Sequence, residues 1–285
     1  MEEQEFIAEA KINLGLEILR RREDGYHELN TIFFRVNEPH DVLHVQPSTG
    51  FQLDSTDPSL LVDGSNLVHR AFKLFADATS TAILHLHVRL EKHIPTGAGL
   101  GGGSSDAATA LRICNQFSNT KLSEAELHRL AGALGADVPF FLLNSRAAIG
   151  SGIGDMLVPL NLRIPYYIVI AKLPRISVNT KEAYGGLRID SDRTPTDFST
   201  VLGGGLTMEN AREYLRNDFE ESVFPLQPEI ANLKARLIDM GAGFALMTGS
   251  GSAIFGLFES MPTAQAATNR LRELGILAYL NEAAS

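Results

Sequence analysis

The sequence holds a single cysteine, Cys114, so neither an intrachain disulfide framework nor a cysteine-rich metal site can be built from it. Basic charge is also scarce. The 25 Lys and Arg face 34 Asp and Glu, a formal net charge of -9, and the densest basic run, Arg20-Arg21-Arg22, is followed at once by Glu23 and Asp24. The global electrostatic footprint of a nucleic-acid binder is therefore missing, and no nucleic-acid partner is expected. Long apolar runs are missing too: none approaches the ~20 residues of a membrane span. The opening Met-Glu-Glu-Gln-Glu has no apolar stretch behind it, which argues against a secretory signal. The expectation is a soluble, cytoplasmic protein without a membrane partner. No internal repeat or low-complexity tract stands out, and nothing indicates the oligomeric state.

What is present is enough for a sizeable core: 285 residues, 44% of them hydrophobic, which suits one large domain or two modest ones. An acidic chain of this kind can hold an anion only by concentrating positive potential locally. Backbone amides, a helix N-terminus, one lysine or a divalent metal would have to supply it.

Apolar alternation predicts strands over 6–19, around Lys11 and Asn13, and again over 26–36 and 41–45, with Arg22-Glu-Asp-Gly25 as the first turn. Ser65-Asn66 precedes a helix whose apolar face carries Val68, Ala71, Phe72 and Phe75. Residues 83–90 alternate, with Leu84, Leu86, Val88 and Leu90 on one side and His85, His87 and Arg89 on the other, as in a half-buried strand. The two histidines read as solvent-facing, because no third metal ligand is near in sequence. A helix is expected over 104–117 on the stripe Ala107, Ala110, Leu111 and Cys114, with the thiol buried and inert. Another starts at Ser123, where Glu126 completes a capping box, and ends at Gly135.

Further on, 166–171, 244–247 and 253–258 read as strands, and 228–240 and 262–274 as helices. Segment 190–206, rich in Asp, Thr, Pro and Gly, reads as an irregular loop. Composition changes near Gly150-Ser-Gly-Ile-Gly154, so domains are expected over 1–150 and 151–285, with the last strand able to return to the first. Strands cluster, helices follow, then both mix, an order that favours α+β over regular βαβ succession.

The strongest motif is Pro95-Thr-Gly-Ala-Gly-Leu-Gly-Gly-Gly-Ser-Ser105. Five glycines in seven residues leave amides unshielded and permit positive φ. Two hydroxyls follow and a helix begins, so the segment is an anion cradle to which a triphosphate is suited. Gly97-Ala-Gly-Leu-Gly-Gly102 also satisfies the dinucleotide-binding spacing. Its flanks speak against that: the strand before it alternates, and Glu124 and Glu126 stand at a helix start. No lysine followed by Ser or Thr closes the segment, so it is not a Walker loop.

Several segments together resemble the GHMP kinase family, which takes in galactokinase, homoserine kinase, mevalonate kinase and phosphomevalonate kinase. The glycine segment through Ala108 is similar to its phosphate loop, and Thr248-Gly-Ser-Gly-Ser-Ala-Ile-Phe255 to its glycine-rich turn near the C-terminus. Ala10-Lys-Ile-Asn-Leu14, Asp24-Gly-Tyr-His-Glu-Leu29, Asn66-Leu-Val, Gly135-Ala-Asp-Val-Pro139, Thr180-Lys-Glu-Ala-Tyr184 and Asn217-Asp-Phe-Glu220 bring it nearest to members acting on a cytidine-diphosphate-linked polyol. Asn179 stands where serine is common, Asp155 where glutamate is usual, and 190–206 matches nothing in the pattern.

The resemblance implies an α+β, two-domain GHMP kinase fold, with a ribosomal protein S5 domain 2-like N-terminal domain and a ferredoxin-like C-terminal domain. It implies ATP as co-substrate with Mg²⁺, and transfer of the γ-phosphoryl to a hydroxyl of a small cytidine-diphosphate-linked polyol in non-mevalonate isoprenoid synthesis. Pro95, Gly97, Gly99, Leu100, Gly101, Gly102, Gly103, Ser104, Ser105 and Asn66 would hold the nucleotide. Asp137 would be the base, although its place before Val138-Pro139 equally suits a helix N-cap. Lys11 would orient Asp137 and the reacting oxygen; on strand position alone it could be a solvated edge lysine. Asn13 shares its strand face. Tyr26 and Tyr184 would sandwich the cytosine and His27 would read its polar edge, the plainer reading of Tyr26 being a hairpin tyrosine at a domain edge. Thr180, Thr248, Gly249 and Ser250 complete the acceptor set, unless the turn at 248 is only a tight hairpin. No dedicated metal-ligand set is legible, although Ser104, Ser105 or Asp137 could touch Mg²⁺. A mevalonate- or homoserine-type kinase and a non-catalytic nucleotide sensor are the alternatives.

Overall fold

The structure, a computed structural model, describes residues 2–190 and 192–283. Two compact units form, each from separate stretches of chain. The first takes residues up to 10, 39–96 and 101–144; the second takes 11–38, 97–100 and those from 145 on. Strands β1 (Gln4–Arg21) and β2 (His27–Pro47) are long enough to contribute to both.

In the first unit, β3 (Gln52–Ser55) and β4 (Leu86–Glu91) run parallel, with Leu53 opposite Val88. The far half of β2 pairs antiparallel with β4, Val45 opposite Val88 and Val42 opposite Glu91. Helix α1 (Leu67–Thr79) packs against α2 (Gly102–Phe117), and α3 (Glu124–Leu134) and α4 (Val138–Leu142) complete the layer. The buried face of α1 is the predicted one, Val68, Ala71, Phe72 and Phe75, and the Ser123–Glu126 capping box is present. Cys114 is buried in α2, and burial raises its thiol pKa well above the usual range.

The two strands expected over 26–36 and 41–45 are one. The apolar alternation breaks at Asn37 and Glu38, but the backbone continues because the Asn281 side chain stands in for a ladder partner there. Its Oδ1 accepts from the Glu38 N–H (2.8 Å) and its Nδ2 donates to the Glu38 carbonyl (2.7 Å).

In the second unit, the near half of β2 pairs with β5 (Ala147–Ser151), which pairs in turn with β6 (Met156–Leu160). Gly150, where a domain boundary was expected, faces Thr31 on one side and Leu157 on the other. The glycines there mark a tight hairpin and no linker: Gly152 and Gly154 take φ of +67° and +98°. Next come β7 (Tyr167–Lys172), α5 (Thr180–Gly185), α6 (Phe198–Leu202), α7 (Met208–Tyr214), α8 (Phe219–Leu226) and α9 (Pro228–Asp239). Then β8 (Phe244–Met247), β9 (Ile254–Phe258), α10 (Met261–Glu273) and β10 (Leu277–Asn281) close the chain.

The sheet order is β10-β7-β9-β8, antiparallel throughout. With α9 and α10 as crossovers, this is the split β-α-β arrangement of a ferredoxin-like domain. Its core gathers Val169, Ile254, Phe258, Leu237 and Leu271. The architecture is α+β, as expected.

Segment 190–206 is not wholly irregular. Asp197 caps α6 through Thr200 N–H, and Phe198 and Leu202 are buried. A helix of five residues is too short to leave a periodic signal. Ser191 of that segment lies outside the described residues. Among the described residues no helix is long and apolar enough to cross a membrane.

Candidate active site

Lys11 is only 3% exposed. A buried ammonium is costly unless its protons are bonded, and Nζ donates to Asn13 Oδ1 at 2.7 Å while lying 5.3 Å from the Phe33 ring centroid. Lys11 is thus no solvated edge residue. The Asn13 amide donates to Thr31 Oγ1 at 2.8 Å, which donates to the Gly15 carbonyl at 2.7 Å. These bonds fix which way Asn13 faces: its oxygen is turned to the lysine.

The same strand reaches both glycine-rich segments of the second unit. Asn13 N–H donates to Thr248 Oγ1 at 2.8 Å, and Lys11 N–H to the Leu100 carbonyl at 3.0 Å. Ala253 N–H donates to the Ala98 carbonyl at 3.1 Å. Gly99 (φ +77°) and Gly249 (φ +57°) meet backbone to backbone: a Cβ on Gly249 would stand 3.1 Å from the Gly99 Cα. The turn at 248–251 is therefore a clasp on the loop and more than a hairpin end.

Asn217 holds that turn from below. Its buried Nδ2 donates to the carbonyls of Met247 (2.7 Å) and Gly249 (2.8 Å). Two residues on either side of Phe219 work with it: Glu220 accepts from the Met247 N–H at 2.9 Å, and Asp218 from the Ile18 N–H at 2.7 Å. Thr180 Oγ1 and Ser250 Oγ are hydrogen-bonded at 2.9 Å, which ties α5 to the turn. Asn179, the departure from serine, caps α5 by accepting from the Lys181 and Glu182 N–H groups.

His27 and Tyr184 stack face to face, 4.3 Å apart with 12° between planes, and Tyr184 meets Phe219 edge-on at 4.8 Å. The ring facing Tyr184 is thus that of His27, and no base fits between these two. Tyr26 is 61% exposed. Burial, with Arg21 behind it, lowers the His27 pKa, so the ring is neutral at neutral pH.

In the first unit, the glycine segment runs into the start of α2. Gly101 (φ +73°) is the N-cap and offers no side-chain bond. The ladder of α2 begins with Ser105 N–H to the Gly101 carbonyl at 2.9 Å, so the amides of Gly102, Gly103 and Ser104 have no acceptor within the helix. Gly102 permits a close approach: a Cβ there would sit 2.9 Å from Ile94 Cγ2. Pro95 lies between that isoleucine and the loop.

A buried ionic cluster braces this end, and sequence reasoning missed it. Lys92 Nζ bonds both Asp41 and Asp106, the latter at 2.7 Å. Asp41 also accepts the N–H groups of His93 (2.6 Å) and Ile94 (2.8 Å), pinning the chain that leads into Pro95. Burial pushes the Asp106 carboxyl up to about 8, with Lys92 pulling down and Asp41 pushing up. Burial works against the Lys92 charge, but Asp106 and Asp41 outweigh it and its pKa is raised. The three residues stand 51 and 14 positions apart in pairs, which hides them from local patterns.

Asp137 stands at the N-cap of α4 but makes no side-chain cap bond, so the capping role does not account for it. Asn66 does cap: its Oδ1 accepts from Val68 N–H at 2.9 Å and its Nδ2 donates to the Leu61 carbonyl at 2.7 Å. Asp137 and Asn66 belong to the first unit, and Lys11, Asn13, His27, Thr180, Tyr184 and Thr248 to the second.

The chain is similar to known proteins over most of its length. Residues 66–145 match the GHMP kinases N terminal domain and residues 205–277 the GHMP kinases C terminal family. The 4-diphosphocytidyl-2-C-methyl-D-erythritol kinase of Chlorobium limicola is 42% identical over 93% of this chain and 92% of its own. That of Solidesulfovibrio magneticus is 41% identical over 95% and 93%. A crystal structure of 4-(cytidine 5'-diphospho)-2C-methyl-D-erythritol kinase superposes with a TM-score of 0.82 at 36% identity, covering 99% of this chain and 100% of that one.

Proposed function

Because this chain belongs to the GHMP kinase family, we propose that it transfers the γ-phosphoryl of ATP to a hydroxyl of 4-diphosphocytidyl-2-C-methyl-D-erythritol, giving the 2-phosphate. The observation that carries the reading is the Lys11–Asn13–Thr248 set, with its two glycine segments in backbone contact. Phosphoryl transfer is mostly positioning and charge compensation, and this set supplies a fixed cation beside amides able to approach phosphate closely.

In this reading the free amides at the start of α2 receive phosphate oxygens, with Ser104 and Ser105 beside them. Asp137 takes the proton of the acceptor hydroxyl as the new P–O bond forms. Lys11 offsets negative charge on the reacting oxygens, and Asn13 keeps its Nζ on station. Tyr26, His27 and Tyr184 select the cytosine, with the His27–Tyr184 stack as one wall and the exposed Tyr26 ring as a second stacking surface. Thr180, Thr248, Gly249 and Ser250 serve the acceptor's diphosphate, and Asn66 secures the start of α1 near the nucleotide. Mg²⁺ would neutralise charge on the triphosphate, and the oxygen-only donors Ser104, Ser105 and Asp137 are the type this ion takes. A cytoplasmic setting belongs to the same reading.

The test is ADP release by the full chain with ATP and one of three acceptors: the cytidyl compound, mevalonate or homoserine. Turnover is expected with the first alone. No ADP release with the cytidyl compound, or faster release with either of the others, overturns the reading.

A further inference from the structure

One cluster in the first unit has no part in the kinase chemistry. Glu3 and Glu5, two residues apart and so on one face of the extended chain, meet His44 of β2. Their side chains are 48% and 68% exposed, whereas His44 is 7% exposed. His44 Nε2 is hydrogen-bonded to Glu91 Oε2 at 2.9 Å. Nδ1 is buried, and among the described residues no hydrogen bond reaches it.

That orphaned nitrogen faces the two carboxylates, 3.5 Å from Glu3 Oε1 and 3.4 Å from Glu5 Oε1. These separations exceed the ~2.7–3.2 Å of an N–H···O bond. They are those of ligands sharing one ion: bonds of about 2.0–2.2 Å meeting at a tetrahedral angle hold donor atoms roughly 3.3–3.6 Å apart. One ligand atom from each of the three residues falls within 4.8 Å of the others.

The outer partner fits as well. A carboxylate holding the far ring N–H of a ligating histidine selects the tautomer that leaves the near nitrogen unprotonated, and it raises that nitrogen's basicity. Glu91 stands in that position, and its other oxygen is tied to His93 Nε2 at 3.0 Å.

We propose that Glu3, Glu5 and His44 form a binding site for a divalent transition-metal ion, Zn²⁺ foremost, with water as the fourth ligand. An imidazole with two carboxylates suits Zn²⁺, Co²⁺ or Ni²⁺, whereas an oxygen-preferring ion gains little from the ring nitrogen. The ion would bind the start of β1 to β2.

The experiment uses the full chain, stripped with chelator and titrated with Zn²⁺ against a chromophoric competitor. One ion per chain is expected at micromolar affinity or tighter, unaffected by excess Mg²⁺. His44→Gln and the double variant Glu3→Gln/Glu5→Gln should each weaken it at least tenfold. The double variant alters exposed side chains only, so it keeps the test decisive if His44→Gln fails to fold. Absence of Zn²⁺ binding by the wild-type chain, or undiminished binding by the double variant, overturns the proposal.

Discussion

Gly99 lies so close to Thr248 that a Cβ on the glycine would come 2.2 Å from the threonine carbonyl oxygen. The neighbour is backbone in a turn that Asn217 holds from beneath, so it has little room to give. Gly99→Ala combines that overlap with φ of +77° and should cost about 3 kcal/mol or more. Gly97→Ala is the control. Its nearest contact is 3.6 Å away at φ of +64°, so backbone strain alone, about 1–2 kcal/mol, is expected. Denaturant melts of the two variants check this, and equal losses would contradict the clasp.

Asp137→Asn should lower kcat roughly 100- to 10,000-fold, the range of general-base loss. Since the Asp137 side chain accepts no capping bond from the α4 amides, the helix start has no reason to fray. Kd for an ATP analogue should stay within a few-fold of wild type. Unchanged turnover would remove the base assignment.

Tyr26 and Tyr184 separate two ideas about the cytosine. Tyr184 is packed between His27 and Phe219, whereas Tyr26 is largely exposed. If the exposed ring stacks on the base, Tyr26→Ala should raise the acceptor KM roughly 5- to 100-fold, the worth of one base stack, with ATP KM nearly unchanged. Tyr184→Ala should raise acceptor KM and also lower Tm, because it opens the His27 stack. Equal effects of Tyr26→Ala on both KM values would take Tyr26 out of the cytosine site.

Asp106 gives a pH prediction. Its carboxyl is raised from an ordinary 3.8 to about 8, first by burial and then by Asp41. The folded state therefore keeps a proton that the unfolded chain releases, and stability falls as pH rises through that window. Lys92 faces it and stays charged throughout, its pKa being raised. Asp106→Asn keeps an oxygen for Lys92 Nζ and removes the titration. Melting curves from pH 5 to 8.5 should show the variant gaining on wild type as pH climbs. A constant difference would mean that Asp106 does not titrate in this window.

What was legible beforehand follows from range. The positive φ of the glycine segment, the Ser123–Glu126 box and the apolar face of α1 rest on neighbours within a few residues, and these were read correctly. The continuation of β2 through Glu38 depends on Asn281, and the brace behind Pro95 on Asp41, Lys92 and Asp106 together. No window of the sequence contains those pairs. The Gly150 cluster was visible but ambiguous, because a hairpin and a linker use the same residue. Lys11 shows the opposite case: strand position alone suggested solvent, and the Asn13 bond and the Phe33 ring help explain how a lysine can be buried there.

Asn217 shows how a recognised motif can conceal its mechanics. Its Nδ2 supplies both protons that hold the carbonyls of Met247 and Gly249, and its Oδ1 accepts from the Phe219 N–H at 3.1 Å. Asn217→Asp preserves shape and the last bond but loses both donors, setting a carboxylate against two carbonyl oxygens in a buried place. Each unsatisfied buried group costs about 1–3 kcal/mol, so a loss of roughly 2–5 kcal/mol is expected. Asn217→Ser is too short to span both carbonyls and should lose less, since it brings no charge. Because the turn also contacts Gly99, either change should disturb catalysis before global unfolding, with kcat falling at temperatures where circular dichroism is still native. An Asn217→Asp variant with native melting and native kcat would show that the clasp is held by the glycine contacts alone.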